Sequence, residues 1–253
     1  MRLPRSLLAV AALTVLSGHV APSVDDNNRY LKLTPLGDRV RLAYTVFFGE
    51  VPGASERRGI DRDHDGQISD REARAFGDKV AAQIQAALDV EVDGKMQPVS
   101  WATTDVGLGT PSVAAGSFSV DLVAYFCLAP VRGKHHVLVH DRFRIPRPGE
   151  TEAKVEDSPG VTIERARVGV ANDPTYDYRF AGPGGPLETD GLDLAFDAGP
   201  RAPVVADGTC PEAATPATAH GGLGALGWLA IGGGIGLAFA VTLGVLRRVR
   251  ARA

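Results

Sequence analysis

Aromatic side chains are scarce, at 6% of the chain, and the formal net charge is only -3. The first shortage argues against a surface that stacks nucleic-acid bases, and the second supplies no basic field to attract phosphate backbones. Catalytic signatures are missing as well. There is no Gly-x-Ser-x-Gly elbow, no His-Glu-x-x-His pair and no phosphate-cradling glycine loop. The run Gly182-Pro183-Gly184-Gly185-Pro186 has the glycines of such a loop, but its prolines remove backbone donors and it reads as a turn. No internal repeat is visible, and the expectation is a protein that is not an enzyme. Two cysteines are the whole complement, Cys127 and Cys210. In an oxidising compartment they invite one disulfide, the alternative being two free thiols.

Both ends are distinctive. Arg2 and Arg5 precede an apolar stretch from Leu7 to Leu16, followed by Ser17 and Gly18. A basic start, a short apolar core and small residues form a secretory signal, too short to span a bilayer, which takes about 20 apolar residues. Residues 1–18 are therefore expected to be a signal peptide, with cleavage after Gly18 or after Ser23. At the other end, Leu223 to Leu246 contains no charged residue, and Arg247, Arg248, Arg250 and Arg252 follow. A helix over 223–246 can cross a hydrocarbon core of about 30 Å, with the basic tail 247–253 on the cytoplasmic side. The body then faces outward from a single-pass membrane anchor. The same ending also resembles bacterial sorting tails that a membrane protease trims. Within the span, Gly232, Gly236, Ala240 and Gly244 recur every four residues, a small-residue stripe that suits homodimerisation through the membrane helix.

Between these ends, residues 19–197 form the exported domain and 198–222, rich in Ala, Pro, Gly and Thr, read as a flexible stalk. Val40, Leu42, Tyr44 and Val46 alternate with Arg39 and Arg41, which predicts a strand with one buried face. Phe118 to Phe126 and segments 134–143, 161–170 and 191–196 alternate likewise, and Asp93-Gly94 marks a hairpin turn. Ala73, Phe76, Val80, Ile84 and Leu88 recur at helical spacing and predict a helix from Asp70 to Leu88. The class is α+β, mostly β: an antiparallel sandwich-like domain with an inserted helical calcium element.

That element is the clearest motif in the chain. Residues Asp61 to Glu72 fill the twelve positions of an EF-hand loop, whose ligand calcium is a hard ion served by six to eight oxygens. Asp61, Asp63 and Asp65 supply carboxylates at positions one, three and five. Gln67 offers its carbonyl at seven, Ser69 stands at nine, and Glu72 closes the site at twelve. Gly66 at position six permits the left-handed backbone of the turn. Ile68 at eight ordinarily pairs with a second loop, and the sequence holds none. The incoming segment, Pro52 to Arg58, is expected to be at most a short helix.

Tyr30-Leu31, the strand ending Val40-Arg41-Leu42-Ala43-Tyr44, Gly49-Glu50-Val51-Pro52 and the calcium loop follow in an order that resembles a known family domain. It is the extracytoplasmic N-terminal domain of some bacterial nickel/cobalt permeases and hydrogenase/urease-accessory membrane proteins. The likeness covers roughly residues 28–145. This chain departs from that family in having one span and no permease, so metal transport does not carry over, and the resemblance implies at most a shared accessory or recognition domain near the membrane surface.

Weaker constellations remain. His136 and His140 share a strand face but lie about 13 Å apart at about 3.3 Å per residue, too far for one transition metal, and His135 points to the opposite face. His19 could add a chelate at the mature N-terminus. Solvated or hydrogen-bonded strand histidines are the expected outcome, with a transition-metal site as the alternative. Asp25-Asp26-Asn27-Asn28 reads as an exposed polar lead-in to a strand, with a second ion site as the alternative. The functional expectation is a calcium-binding, membrane-anchored display or binding module with an unidentified protein partner. The rival is an accessory protein that delivers a transition metal to a separate permease.

Overall fold

The computed structural model describes residues 25–169, 173–175, 179–181 and 185–210. The expected signal peptide, His19, membrane span, basic tail and residues 211–222 of the stalk lie outside these, as do residues 182–184 of the glycine–proline turn. Among the described residues no helix is long and apolar enough to cross a membrane.

The chain opens with strands β1 (Asn27–Pro35) and β2 (Arg39–Phe48), then helices α1 (Glu50–Ile60) and α2 (Asp70–Gln85). Strands β3 (Leu88–Val92), β4 (Lys95–Gln97), β5 (Trp101–Gly107), β6 (Phe118–Cys127), β7 (Gly133–Asp141), β8 (Pro148–Val155) and β9 (Val161–Val168) follow. The last elements are β10 (Arg179–Phe180), a single turn α3 (Pro186–Thr189) and β11 (Leu192–Ala198). The fold is mostly β, in two antiparallel-rich sheets ordered β10-β8-β1-β2-β6-β5 and β4-β3-β7-β11-β9. One pairing departs from the antiparallel expectation. β1 runs parallel to β8, with Leu31 beside Ala153 and Leu33 beside Val155.

Alternation does the sorting in the central strands. Val40, Leu42, Tyr44 and Val46 of β2 and Val120, Leu122 and Ala124 of β6 are all at most 1% exposed, and join residues of β7 and β11 in one core. Burying each valine and leucine side chain among them contributes about 1.5–3 kcal/mol, which fixes the register, since a one-residue slip would turn them outward. A polar clasp joins the two sheets through this core. The Tyr44 hydroxyl donates to Asp141 Oδ2 at 2.8 Å, and Arg29 pairs with the same oxygen at 2.9 Å. Burial raises the pKa of Asp141 above its ordinary value against the opposing pull of Arg29.

α2 ends at Gln85 rather than running to Leu88, because Leu88, Val90 and Val92 take up the alternation of β3. Its Gly77 lies directly over β5. A Cβ there would meet a Val106 methyl at 2.8 Å, so glycine is what lets the helix sit down on the sheet. The Trp101 indole N–H donates to the Ala81 carbonyl across the same contact.

Arg39, expected on the solvent side of β2, is fully buried. Its guanidinium donates to Asp38 Oδ2, to Asp207 Oδ2 at 2.8 Å and to the Val205 carbonyl at 2.6 Å. The acceptors Val205 and Asp207 come from the stretch read as the start of a stalk. Up to Cys210 that stretch is packed on the body: Ala202 is 2% exposed, Gly37 N donates to the Pro203 carbonyl, and Cys127 and Cys210 form a disulfide.

Candidate metal centre

α1 and α2 flank the acidic loop. The incoming helix has eleven residues, longer than the short helix expected over Pro52–Arg58. Pro52 does not stop it, because in the first turn of a helix a missing N–H costs no intrahelical bond. Ile60 and Arg57 anchor its last turn in the interior, and Asp61 N closes the helix on the Arg57 carbonyl at 3.1 Å.

From Asp61 the backbone turns sharply, with left-handed φ values at His64 (60°) and Gly66 (87°). The aspartates hold this path themselves. Asp65 N donates to Asp63 Oδ1 at 3.3 Å, Gly66 N to Asp61 Oδ2 at 3.1 Å, and Gln67 N to Asp65 Oδ1 at 2.7 Å. The result is three carboxylates, from Asp61, Asp63 and Asp65, with one oxygen of each within 4.8 Å of the others. Like charges so close disfavour one another without a cation between them. Asp63 and Asp65 face solvent, whereas Asp61 is buried, and its Oδ1 is a buried oxygen with no hydrogen-bond partner. A buried acceptor left bare costs about 1–3 kcal/mol, more when charged, unless something fills it. An oxygen-only, all-acidic donor set with one oxygen waiting fits a hard divalent cation.

Ser69 and Glu72 form a reciprocal cap on α2. Ser69 N and Oγ donate to Glu72 Oε2 at 3.0 and 2.7 Å, and Glu72 N donates back to Ser69 Oγ at 3.4 Å. Arg62 N donates to Glu72 Oε1 at 2.7 Å, tying the cap to the second loop residue. The backbone bond from Ser69, then its hydroxyl, then the Arg62 amide hold the Glu72 carboxyl down at about 2. Of the six residues expected to ligate, the structure brings three carboxylates together and sets Ser69 and Glu72 at the closing end of the loop. Gln67 sits between them, its side-chain amide donating to the Gly66 carbonyl.

Position eight has a partner after all. Ile68 is 3% exposed, its N–H donates to the Pro111 carbonyl at 2.8 Å, and Val113 N donates to the Gly66 carbonyl at 3.2 Å. Gln67 and Ser112 form a β-bridge between these bonds. The pairing strand that the sequence lacked as a second loop is supplied by the β5–β6 connection. Behind it lies Arg57, fully buried, with all five N–H donors on backbone carbonyls of that connection. Nε donates to Gly116, one terminal nitrogen to Thr110 and Ser112, the other to Leu108 and Ser117. Burial lowers the Arg57 pKa below its ordinary value, and Glu50 opposes the shift. Arg57 was not picked out from the sequence. The available hint was that residues 108–117 carry no charge of their own and need a donor from elsewhere.

The three strand histidines are separately engaged. His135, buried, meets Asp93 Oδ2 at 2.8 Å and the Arg132 carbonyl; His136 meets Asp193 Oδ1 at 2.9 Å; His140 meets the Glu188 carbonyl at 3.2 Å. Asn27 and Asn28, expected to be exposed, are buried in β1, where Asn27 donates to the Pro146 carbonyl and Asn28 accepts from Glu150 N. Their burial follows from the parallel strand β8, which covers the start of β1. Compared with known proteins, the chain matches no family model and no curated protein.

Proposed function

We propose that this protein is a calcium-binding, non-enzymatic binding or display module, a sandwich-like domain carried outside the cytoplasm on a membrane anchor. The observation that carries the reading is the cluster of Asp61, Asp63 and Asp65 with the bare, buried Asp61 oxygen. In the EF-hand-type loop, Asp61, Asp63, Asp65, the Gln67 carbonyl, Ser69 and Glu72 would hold the ion. Calcium supplies positive charge there and relieves the repulsion among the carboxylates. Ser69 and Glu72 bring the N-terminus of α2 to the site, and the aspartates keep the loop folded around it. A disulfide between Cys127 and Cys210 supports an oxidising, extracytoplasmic setting. Extracellular calcium modules work at dissociation constants of about 10⁻⁴–10⁻³ M, so the ion acts as a structural clip that ambient calcium keeps filled. The resemblance to permease-associated domains, over residues 28–145, supports a recognition role at the membrane surface.

Calorimetric titration of the purified full-length chain tests the reading. Calcium is expected to bind with one site, and at 100 times the dissociation constant to stabilise the fold by about 2.7 kcal/mol. Asp61→Ala removes that gain. An unchanged melting temperature with and without chelator would overturn it, and tight nickel or cobalt binding in place of calcium would replace it with metal delivery.

A further inference from the structure

We infer that Arg57 is a positioning residue for the ion: it organises residues 108–117 as the pairing strand of the 61–72 loop, and thereby sets the loop's affinity. The inference rests on the calcium reading and adds a residue and a segment that no ligand pattern contains.

Residues 108–117 have few bonds of their own. Their internal contacts are short-range: Thr110 N to the Leu108 carbonyl, Ala115 N to the Ser112 carbonyl, and Ala114 N to Ser112 Oγ. Five carbonyls of this segment nonetheless converge on one point, an arrangement that neutral dipoles resist unless a cation sits among them. The Arg57 guanidinium is that cation, and its planar fork dictates where each carbonyl lies. One consequence is the placement of Pro111 and Val113, whose backbone groups bond Ile68 and Gly66. Gly66 to Ile68 is the stretch of loop between the third carboxylate and the closing Ser69–Glu72 cap. A second connection is shorter still, since the Arg57 carbonyl accepts the amide of the first ligand residue, Asp61. That bond is the ordinary helical one and fixes the loop's start, while the Arg57 side chain constrains the loop's middle through the pairing segment.

Calcium affinity in such loops depends on how rigidly the oxygens are held, so releasing the middle of the loop weakens binding. Coupling of this kind is reciprocal. If the segment tightens the ion site, the ion must equally tighten the segment. Bound calcium is thus expected to order residues 108–117, although none of them contributes a ligand.

Amide exchange of the full-length chain, with calcium as the probe, reads this directly. Calcium is expected to slow exchange at Ile68 and Val113 by roughly tenfold or more, within the usual range of such coupling. Unchanged Val113 exchange at saturating calcium overturns the proposal. Arg57→Met keeps the aliphatic stem and removes every donor. It is expected to raise the calcium dissociation constant by roughly tenfold while exchange in β1 and β2 stays slow, with Arg57→Lys recovering part of the loss. A folded Arg57→Met protein with wild-type calcium affinity refutes the role of Arg57. If that variant does not fold, the wild-type exchange measurement decides. Absence of calcium binding by the wild type ends the calcium reading itself, a result distinct from wild-type binding with an indifferent Arg57.

Discussion

Arg57 and Arg39 are both fully buried, and each fastens an appendage to the β body, yet they do it with opposite chemistry. Arg57 holds the β5–β6 connection through neutral carbonyls alone. Arg39, paired with its neighbour Asp38, holds the C-terminal stretch 199–210 through the Asp207 carboxylate and the Val205 carbonyl, with the Tyr125 ring 5.5 Å away. The difference shows in their protonation. Burial pulls the Arg57 pKa down, whereas the hydrogen bond that Arg39 donates to Asp207 leads in pushing the Arg39 pKa up. A carbonyl cradle constrains geometry and is indifferent to acid. A carboxylate clasp binds more strongly and is sensitive to acid. The first fixes the path of a neutral connection, and the second fastens residues 199–210 by charge.

Removing each arginine tests that contrast most directly. Arg39→Met leaves the buried Asp38 without its partner, and breaking a buried pair in this way costs about 3–5 kcal/mol. Arg57→Met leaves only neutral carbonyls, several of which can turn to water, for about 2–3 kcal/mol. Urea unfolding of the two variants should preserve that order, and a larger loss at Arg57 would break the comparison. Next in size, the Cys127→Ser/Cys210→Ser double variant should lose about 2–4 kcal/mol. Its hydrogen exchange should quicken in 199–210 while 108–117 stays as it was.

Acid should separate the two regions without mutation. The hydrogen bond from Arg39, then the Thr209 amide, hold the Asp207 pKa below its ordinary 3.8. A depressed carboxylate stabilises the fold above its unfolded pKa, and that contribution fades as pH falls below 3.8 toward the folded value. Exchange measured down through this window should therefore speed up at residues 203–210 and leave the Arg57 cradle unchanged. Equal acceleration in both places would show that the clasp is not carboxylate-controlled. The smallest effect belongs to an exposed ion pair used as a baseline: Asp89→Asn, which breaks the contact with Arg142, should cost less than about 1 kcal/mol.

How much of this was readable beforehand depended on how local the cause was. β2 and β6 were visible because a half-buried strand writes its burial into every second residue. The clustering of the Asp61, Asp63 and Asp65 carboxylates was visible because residues two apart in a tight turn stay close in space. With only two cysteines, the pair could be named as soon as an oxidising compartment was inferred. α1 was underestimated because Pro52 and Gly53 look like breakers until their place in the first turn is known. Asn27, Asn28 and Arg39 were placed at the surface because polar character argues for water, and nothing in their neighbourhood announces the distant groups that satisfy them.

The sequence by itself determined the alternating core of the central strands, the acidic loop with its glycine, and the start of α2 at Asp70. Each of these rests on interactions spanning a few residues, so residue type and spacing suffice. Only the tertiary structure decided that β8 runs parallel to β1, that the Asp38–Asp207 pair encloses Arg39, and that residues 108–117 stand in for a second loop. Those outcomes join segments between about fifty and 170 residues apart, where partners are chosen by the packing of the whole core.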